Sequence, residues 1–82
     1  MSVPIYKVYG ISDCPACLRV CADLMEEYPK AQYVFINCDF SKEYQAAIKR
    51  ELKWPTFPIV VLTEDNKEAL IGGSEALRDL MR

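Results

Sequence analysis

The stretch YGISDCPACLRVC, residues 9–21, decides the fold. It begins at the end of a β-branched and aromatic run, IYKVY at 5–9, which reads as a strand. GISD at 10–13 forms a loop. From Pro15 the apolar positions are Cys17, Leu18, Cys21, Leu24, Met25 and Tyr28, which is one stripe of an amphipathic helix. Pro15 suits the first helical position, because the N–H it lacks would have no helical partner there. Pro29 marks the stop. Strand, short loop and helix start thus meet at Cys14 and Cys17, spaced C-x-x-C around a proline.

Outward from this join, QYVFIN at 32–37 reads as a second strand, and Ser41 caps a helix over 42–53 whose buried stripe is Tyr44, Ala47, Ile48 and Leu52. KWPTFP at 53–58 carries two prolines and is irregular. IVVL at 59–62 is a continuous apolar run, as in a strand covered on both faces. TEDNK is a turn, and EALI pairs back as a fourth strand. Gly72–Gly73 breaks that strand, and Ser74 caps a last helix over 75–81 through Leu77, Leu80 and Met81. The order is β-α-β-α-β-β-α. A right-handed crossover makes the first two strands parallel, and the last two form an antiparallel hairpin. The expected architecture is α/β, a four-stranded mixed sheet with three helices placed on both faces.

The totals narrow the function. At 82 residues the chain is one domain, 1–82, and with 51% hydrophobic residues it has the means to build a core. Ten basic against twelve acidic residues leave a net charge of −2 and no basic stripe, so neither nucleic acid nor an anionic membrane is an expected partner. The N-terminal residues MSVPIYKVYG do not read as a signal peptide, and no apolar run approaches the roughly 20 residues of a membrane span. A reducing, cytoplasmic setting is therefore expected, where a C-x-x-C pair is catalytic or metal-binding more often than structural. With no histidine, imidazole chemistry is excluded.

Three readings of the cysteines compete. Cys14 falls at the helix N-cap, where the free N–H groups of Ala16 and Cys17 and the helix dipole favour a thiolate. Cys17 begins the buried stripe, which yields one exposed nucleophile and one sheltered resolving thiol. The rival is a zinc or iron–sulfur site completed by Cys21 and Cys38. That site would lie inside the core, and the chain has a single C-x-x-C where zinc ribbons usually carry two. The third reading is plain packing. It is the favoured one for Cys21, on the helix stripe, and for Cys38, at the end of the second strand.

Cys14-Pro15-Ala16-Cys17, Thr56-Phe57-Pro58 and Gly72-Gly73-Ser74-Glu75 occur in order and at suitable spacing. With these motifs the chain resembles a dithiol glutaredoxin of the thioredoxin-like superfamily along essentially its whole length. The resemblance implies that Cys14 attacks disulfides and that Cys17 resolves protein mixed disulfides. It implies glutathione as co-substrate with no tightly bound cofactor or metal, disulfide-containing proteins such as ribonucleotide reductase as substrates, and a monomer. Pro58 matches the family's cis-proline, and with it Thr56 and Phe57 would meet the peptide-like part of glutathione. Gly73, Ser74 and Glu75 would receive its γ-glutamyl end. Lys53, or Lys49 or Arg50 on the helix, stands as the candidate for its glycine carboxylate.

The chain also departs from the pattern. Ile11 stands where many glutaredoxins have a basic residue, and Ala16 replaces the usual tyrosine. Asp13 adds a negative charge beside Cys14, Trp54 and Pro55 precede Thr56, and the turn around Glu64-Asp65-Asn66-Lys67 reads as longer than usual. Trp54 reads as packing before partner contact. Two alternatives follow: a glutaredoxin-like thioredoxin reduced by a flavoenzyme, or a carrier of a [2Fe–2S] cluster ligated by Cys14 and glutathione between two subunits.

Overall fold

The computed structural model describes residues 3–81; residues 1–2 and 82 of the expected domain lie outside the described part. The elements are β1 (Ile5–Gly10), α1 (Pro15–Glu27), β2 (Gln32–Asn37), α2 (Lys42–Leu52), β3 (Ile59–Glu64), β4 (Lys67–Gly72) and α3 (Ser74–Met81). They form one four-stranded sheet in the order β2-β1-β3-β4. β1 pairs parallel with β2, and β3 pairs antiparallel with both β1 and β4. The mixed sheet expected from the sequence is the one observed.

The register sorts the side chains by face. Val8 lies opposite Val60, and both point to the side that α1 and α3 cover. There Val8, Val20, Leu24, Val60 and Leu77 form a core with at most 1% exposure each. Burying side chains of this size stabilises by roughly 1.5–3 kcal/mol apiece relative to leaving them in water. Lys7, Tyr9 and Val61 point the other way, where α2 lays Ile48 and Leu52 beside Tyr9, Val61 and Leu70. Beside them Lys7 bonds Glu68 at 3.0 Å, an exposed pair worth at most about 1 kcal/mol.

Local chemistry explains the boundaries. Ser41 accepts the Tyr44 N–H at 3.1 Å and starts α2, with Glu43 in the first turn and Lys49 and Arg50 in the last, the charge order that complements the helix dipole. Lys53 ends α2 in the left-handed region with φ 56°. The β3–β4 connection is tighter than the sequence suggests. β3 runs to Glu64 and β4 starts at Lys67, so the loop is only Asp65-Asn66. Their φ angles, 53° and 66°, are those of the two-residue turn whose twist matches a hairpin, and Asp and Asn tolerate that conformation.

The stripe of α1 needs a correction. The core face is Cys17, Val20 and Leu24. Leu18, Met25 and Tyr28, expected to be buried, are 67%, 63% and 68% exposed. They lie a little way round the helix from the core face, on the side of β2. β2 is the edge strand, so no further element covers them. The apolar arc of α1 is wider than the sheet beneath it.

Candidate active site

The site is built where β1 hands the chain to α1. Cys14 is the N-cap with extended backbone, Pro15 takes the first helical position, and the Leu18 N–H bonds the Cys14 carbonyl at 3.2 Å. The Cys17 N–H points at the Cys14 sulfur, 3.2 Å away. This is the arrangement the spacing predicts, with the Cys17 amide making the contact. An amide aimed at a sulfur at a helix start favours the anion once the thiol is free. Cys14 and Cys17 are joined as a disulfide with Cα atoms 5.3 Å apart. Cys14 is half-buried, and Cys17 is 1% exposed beneath it.

Two neighbours shape the floor. A Cβ on Gly10 would sit 2.8 Å from the Cys17 sulfur and 2.9 Å from the Phe35 ring, so only glycine lets β1 pass this close. Cys38 donates its N–H to the Gly10 carbonyl at 2.7 Å and is fully buried. Burial pushes the Cys38 thiol up, and it does the same to Cys21, whose hydrogen bond with Tyr33 pulls weakly the other way. Neither joins the Cys14–Cys17 pair. Among the described residues no three cysteine or acidic side chains converge on a point that could hold a metal ion.

The loop before Cys14 is tied to the end of β2 by a clasp that the sequence did not reveal. The Ser12 N–H donates to the Asp39 carboxylate at 3.1 and 3.3 Å, and the Ser12 hydroxyl donates to it as well. The Asp39 N–H in turn bonds Asn37 Oδ1 at 2.7 Å. The Ser12 hydroxyl is the main reason that the Asp39 carboxyl titrates below its usual value. Residues 27 positions apart carry no periodicity, so no pattern announces this contact.

Beside the disulfide lies a cleft lined by Ala16, Thr56, Phe57, Pro58, Gly73, Ser74 and Glu75, with Trp54 as one wall. The three sequence motifs are thus brought together. The Phe57–Pro58 peptide is cis, as the resemblance implies. Gly73 accepts the Leu77 N–H at 3.1 Å through its carbonyl, so the start of α3 opens at the cleft. Lys53 does not line it. Lys49 on α2 sets its ammonium 4.8 Å from the ring centre of Phe57, a residue of the cleft. Lys53, exposed at the left-handed close of α2, stands one residue before Trp54.

Trp54 is packing and wall at once. Gly72, with φ 120°, leaves room for its ring: a Cβ there would come within 2.9 Å of Trp54 Cη2. Its indole nitrogen is buried without a hydrogen-bond partner among the described residues. Ala76 and Asp79 of α3 also line the cleft; sequence reasoning missed them, although the helical spacing from Glu75 could have pointed to Asp79.

A bridged C-x-x-C pair at a helix start, on a sheet of this topology, defines a thiol–disulfide oxidoreductase of the thioredoxin-like class. The sequence model of the glutaredoxin family, described as "Glutaredoxin", matches residues 6–66, and the chain belongs to that family. Among curated protein sequences nothing matches. Solved structures of similar fold include mitochondrial thioredoxin 3 of Saccharomyces cerevisiae in oxidized form, at 19% identity and TM-score 0.65, covering 98% of this chain and 76% of that one. Fasciola hepatica thioredoxin is 20% identical, with TM-score 0.64 over 95% of this chain and 77% of its own. Spinach chloroplast thioredoxin f, in short form, is 17% identical, with TM-score 0.64 over 95% and 70%. At these identities the likeness speaks for the fold.

Proposed function

We propose that this oxidoreductase reduces protein disulfides and glutathione mixed disulfides, with glutathione as co-substrate. The carrying observation is the cleft that joins the Cys14–Cys17 helix start to Phe57–Pro58 and to Gly73-Ser74-Glu75. An extended peptide such as glutathione would lie along the main chain of Phe57, next to Thr56. Its γ-glutamyl carboxylate would sit at the start of α3 near Gly73 and Ser74, with Glu75 facing the ammonium. Lys49 is the better placed cation for its other carboxylate, ahead of Lys53.

Against a protein disulfide, the Cys14 thiolate attacks one sulfur and the other leaves as a thiolate that takes up a proton. Cys17 loses its proton and attacks the Cys14 sulfur, which frees the second substrate thiol and forms the Cys14–Cys17 disulfide. Two glutathione molecules then reduce that bond, leaving as one glutathione disulfide. With a glutathione mixed disulfide, Cys14 takes the glutathione sulfur and a second glutathione regenerates it, so Cys17 is not needed. The reaction suits a reducing, cytoplasmic setting and electron transfer to enzymes that form a disulfide each turnover, such as ribonucleotide reductase.

Single substitutions test this. Cys14→Ser abolishes turnover of every substrate, whereas Cys17→Ser loses protein-disulfide reduction and keeps reduction of glutathione mixed disulfides. Equal loss from both substitutions would count against the glutathione route. A second reading is reduction by a flavoenzyme, as for a glutaredoxin-like thioredoxin. The observation that favours it is that no basic side chain is among the described residues lining the cleft, where the glycine carboxylate of glutathione calls for one. Coupled assays with glutathione plus its reductase, and separately with thioredoxin reductase, distinguish the two.

A further inference from the structure

We propose that two copies of this chain associate through the free edge of β2, extending the sheet to eight strands. β2 is an outer strand with the sequence QYVFIN, which has no charge, proline or glycine. Natural edge strands usually carry such residues to prevent pairing, and a segment without them is a template for another strand. Gln32 and Cys38 donate their N–H groups inward, to Pro4 at 3.0 Å and Gly10 at 2.7 Å. The alternation of the ladder then turns the main-chain groups of Tyr33, Phe35 and Asn37 outward.

Beside the edge, on the α1 face, stand the three side chains that the core does not take. Leu18, Met25 and Tyr28 are 63–68% exposed; on the strand itself Phe35 shares their face and is 37% exposed, while Val34 points to the α2 face and is 51% exposed. Met25 and Tyr28 flank a depression that reaches Gln32 and Tyr33, so helix stripe and strand edge make one apolar surface.

A second copy fits this surface better than an unrelated strand, because the surface is self-complementary. In a two-fold antiparallel pairing, outward residues must lie opposite outward residues. With Phe35 on the axis, Tyr33 faces Asn37 of the second copy, and roughly six main-chain hydrogen bonds form. The charged residues beyond the two ends of the strand are of opposite sign. Lys30 precedes it, Asp39 follows it, and the pairing sets Lys30 of each copy within one residue of Asp39 of the other. The same symmetry lays the exposed stripe of each α1 against that of its copy. Leu18, Met25, Tyr28 and Phe35 on the α1 face of the edge, with Val34 on its other face, expose on the order of 500 Å² per chain, which reaches the total of about 1,000 Å² that a specific interface needs. The cleft lies on the β3 and α3 side of the sheet, away from this edge, so it stays open in the dimer.

Sedimentation equilibrium of the reduced protein, with excess reductant to exclude intermolecular disulfides, tests the proposal from about 10 to about 500 µM. The expected result is a monomer–dimer equilibrium within that range. Val34→Lys and Met25→Lys, both at exposed positions, should shift it at least tenfold toward monomer while leaving the folded spectrum and the disulfide-exchange rate unchanged. Hydrogen exchange at the Tyr33 and Phe35 amides should slow as concentration rises. Two results overturn the proposal: a monomer at every concentration, which leaves the edge to a different protein, or a dimer that both lysine variants retain, which places the contact elsewhere.

Discussion

Among the four cysteines, burial covers two and leaves Cys14 and Cys21 half-open, and the helix start separates those two. Cys14 is half-buried at a helix start, Cys17 and Cys38 are fully covered, and Cys21 lies against Tyr33. Burial raises the thiols of Cys21 and Cys38, which leaves them protonated and slow to react at neutral pH. In the reduced native protein, iodoacetamide should therefore modify Cys14 quickly and the other cysteines slowly. Mass mapping that finds Cys38 labelled as fast as Cys14 would contradict the structure. Asp39 offers a pH test at the same scale. Its folded pKa is depressed, so its clasp with Ser12 contributes stability above the ordinary carboxyl value of 3.8, and that contribution is lost as pH falls through the lowered value. Asp39→Ala should lower the urea midpoint at neutral pH and leave it nearly unchanged near pH 2. A deficit of equal size at both pH values would show that the carboxylate charge plays no part.

Elements were legible where local chemistry sets them. The Cys14-Pro15 start of α1 and the Ser41 cap of α2 fall where the residues place them, because caps and fixed φ angles act within one turn. The hairpin was read as a longer turn because its tightness depends on Asp65 and Asn66 both taking positive φ, which neither must do in isolation. At the end of β4, Gly72 combines a φ of 120° with the Trp54 ring against its α-carbon. Gly72→Ala should cost about 1–3 kcal/mol in urea denaturation, from backbone strain and overpacking together. A neutral result would mean that Trp54 moves freely. The wide stripe of α1 was misread for a different reason. Helical periodicity identifies an apolar arc, but how much of that arc is covered depends on how many strands lie beneath it.

At the scale of the whole molecule, the core between the sheet and the helices α1 and α3 ties distant segments together. Leu77 of α3 is fully buried against Val8, Val20, Leu24 and Val60, so it ties the last helix to the sheet and to α1. Leu77→Ala should lose about 2–5 kcal/mol, a large share of the stability of a domain this size, and should move the thermal midpoint down by roughly 8–40 °C. A loss below about 1 kcal/mol would mean that α3 is not part of the cooperative unit. The order of elements, the parallel β1–β2 pair, the β3–β4 hairpin and the C-x-x-C site could be read from the chain, because periodicity, caps and motif spacing are written in neighbouring residues; the antiparallel β1–β3 pair that joins the two halves could not. Tertiary structure alone decided which helix side chains remain in water, that Ser12 reaches Asp39, that Lys49 approaches Phe57, and that Trp54 walls the cleft. Each of those depends on distances between segments far apart in the chain. Only the packed sheet and its helices set such distances.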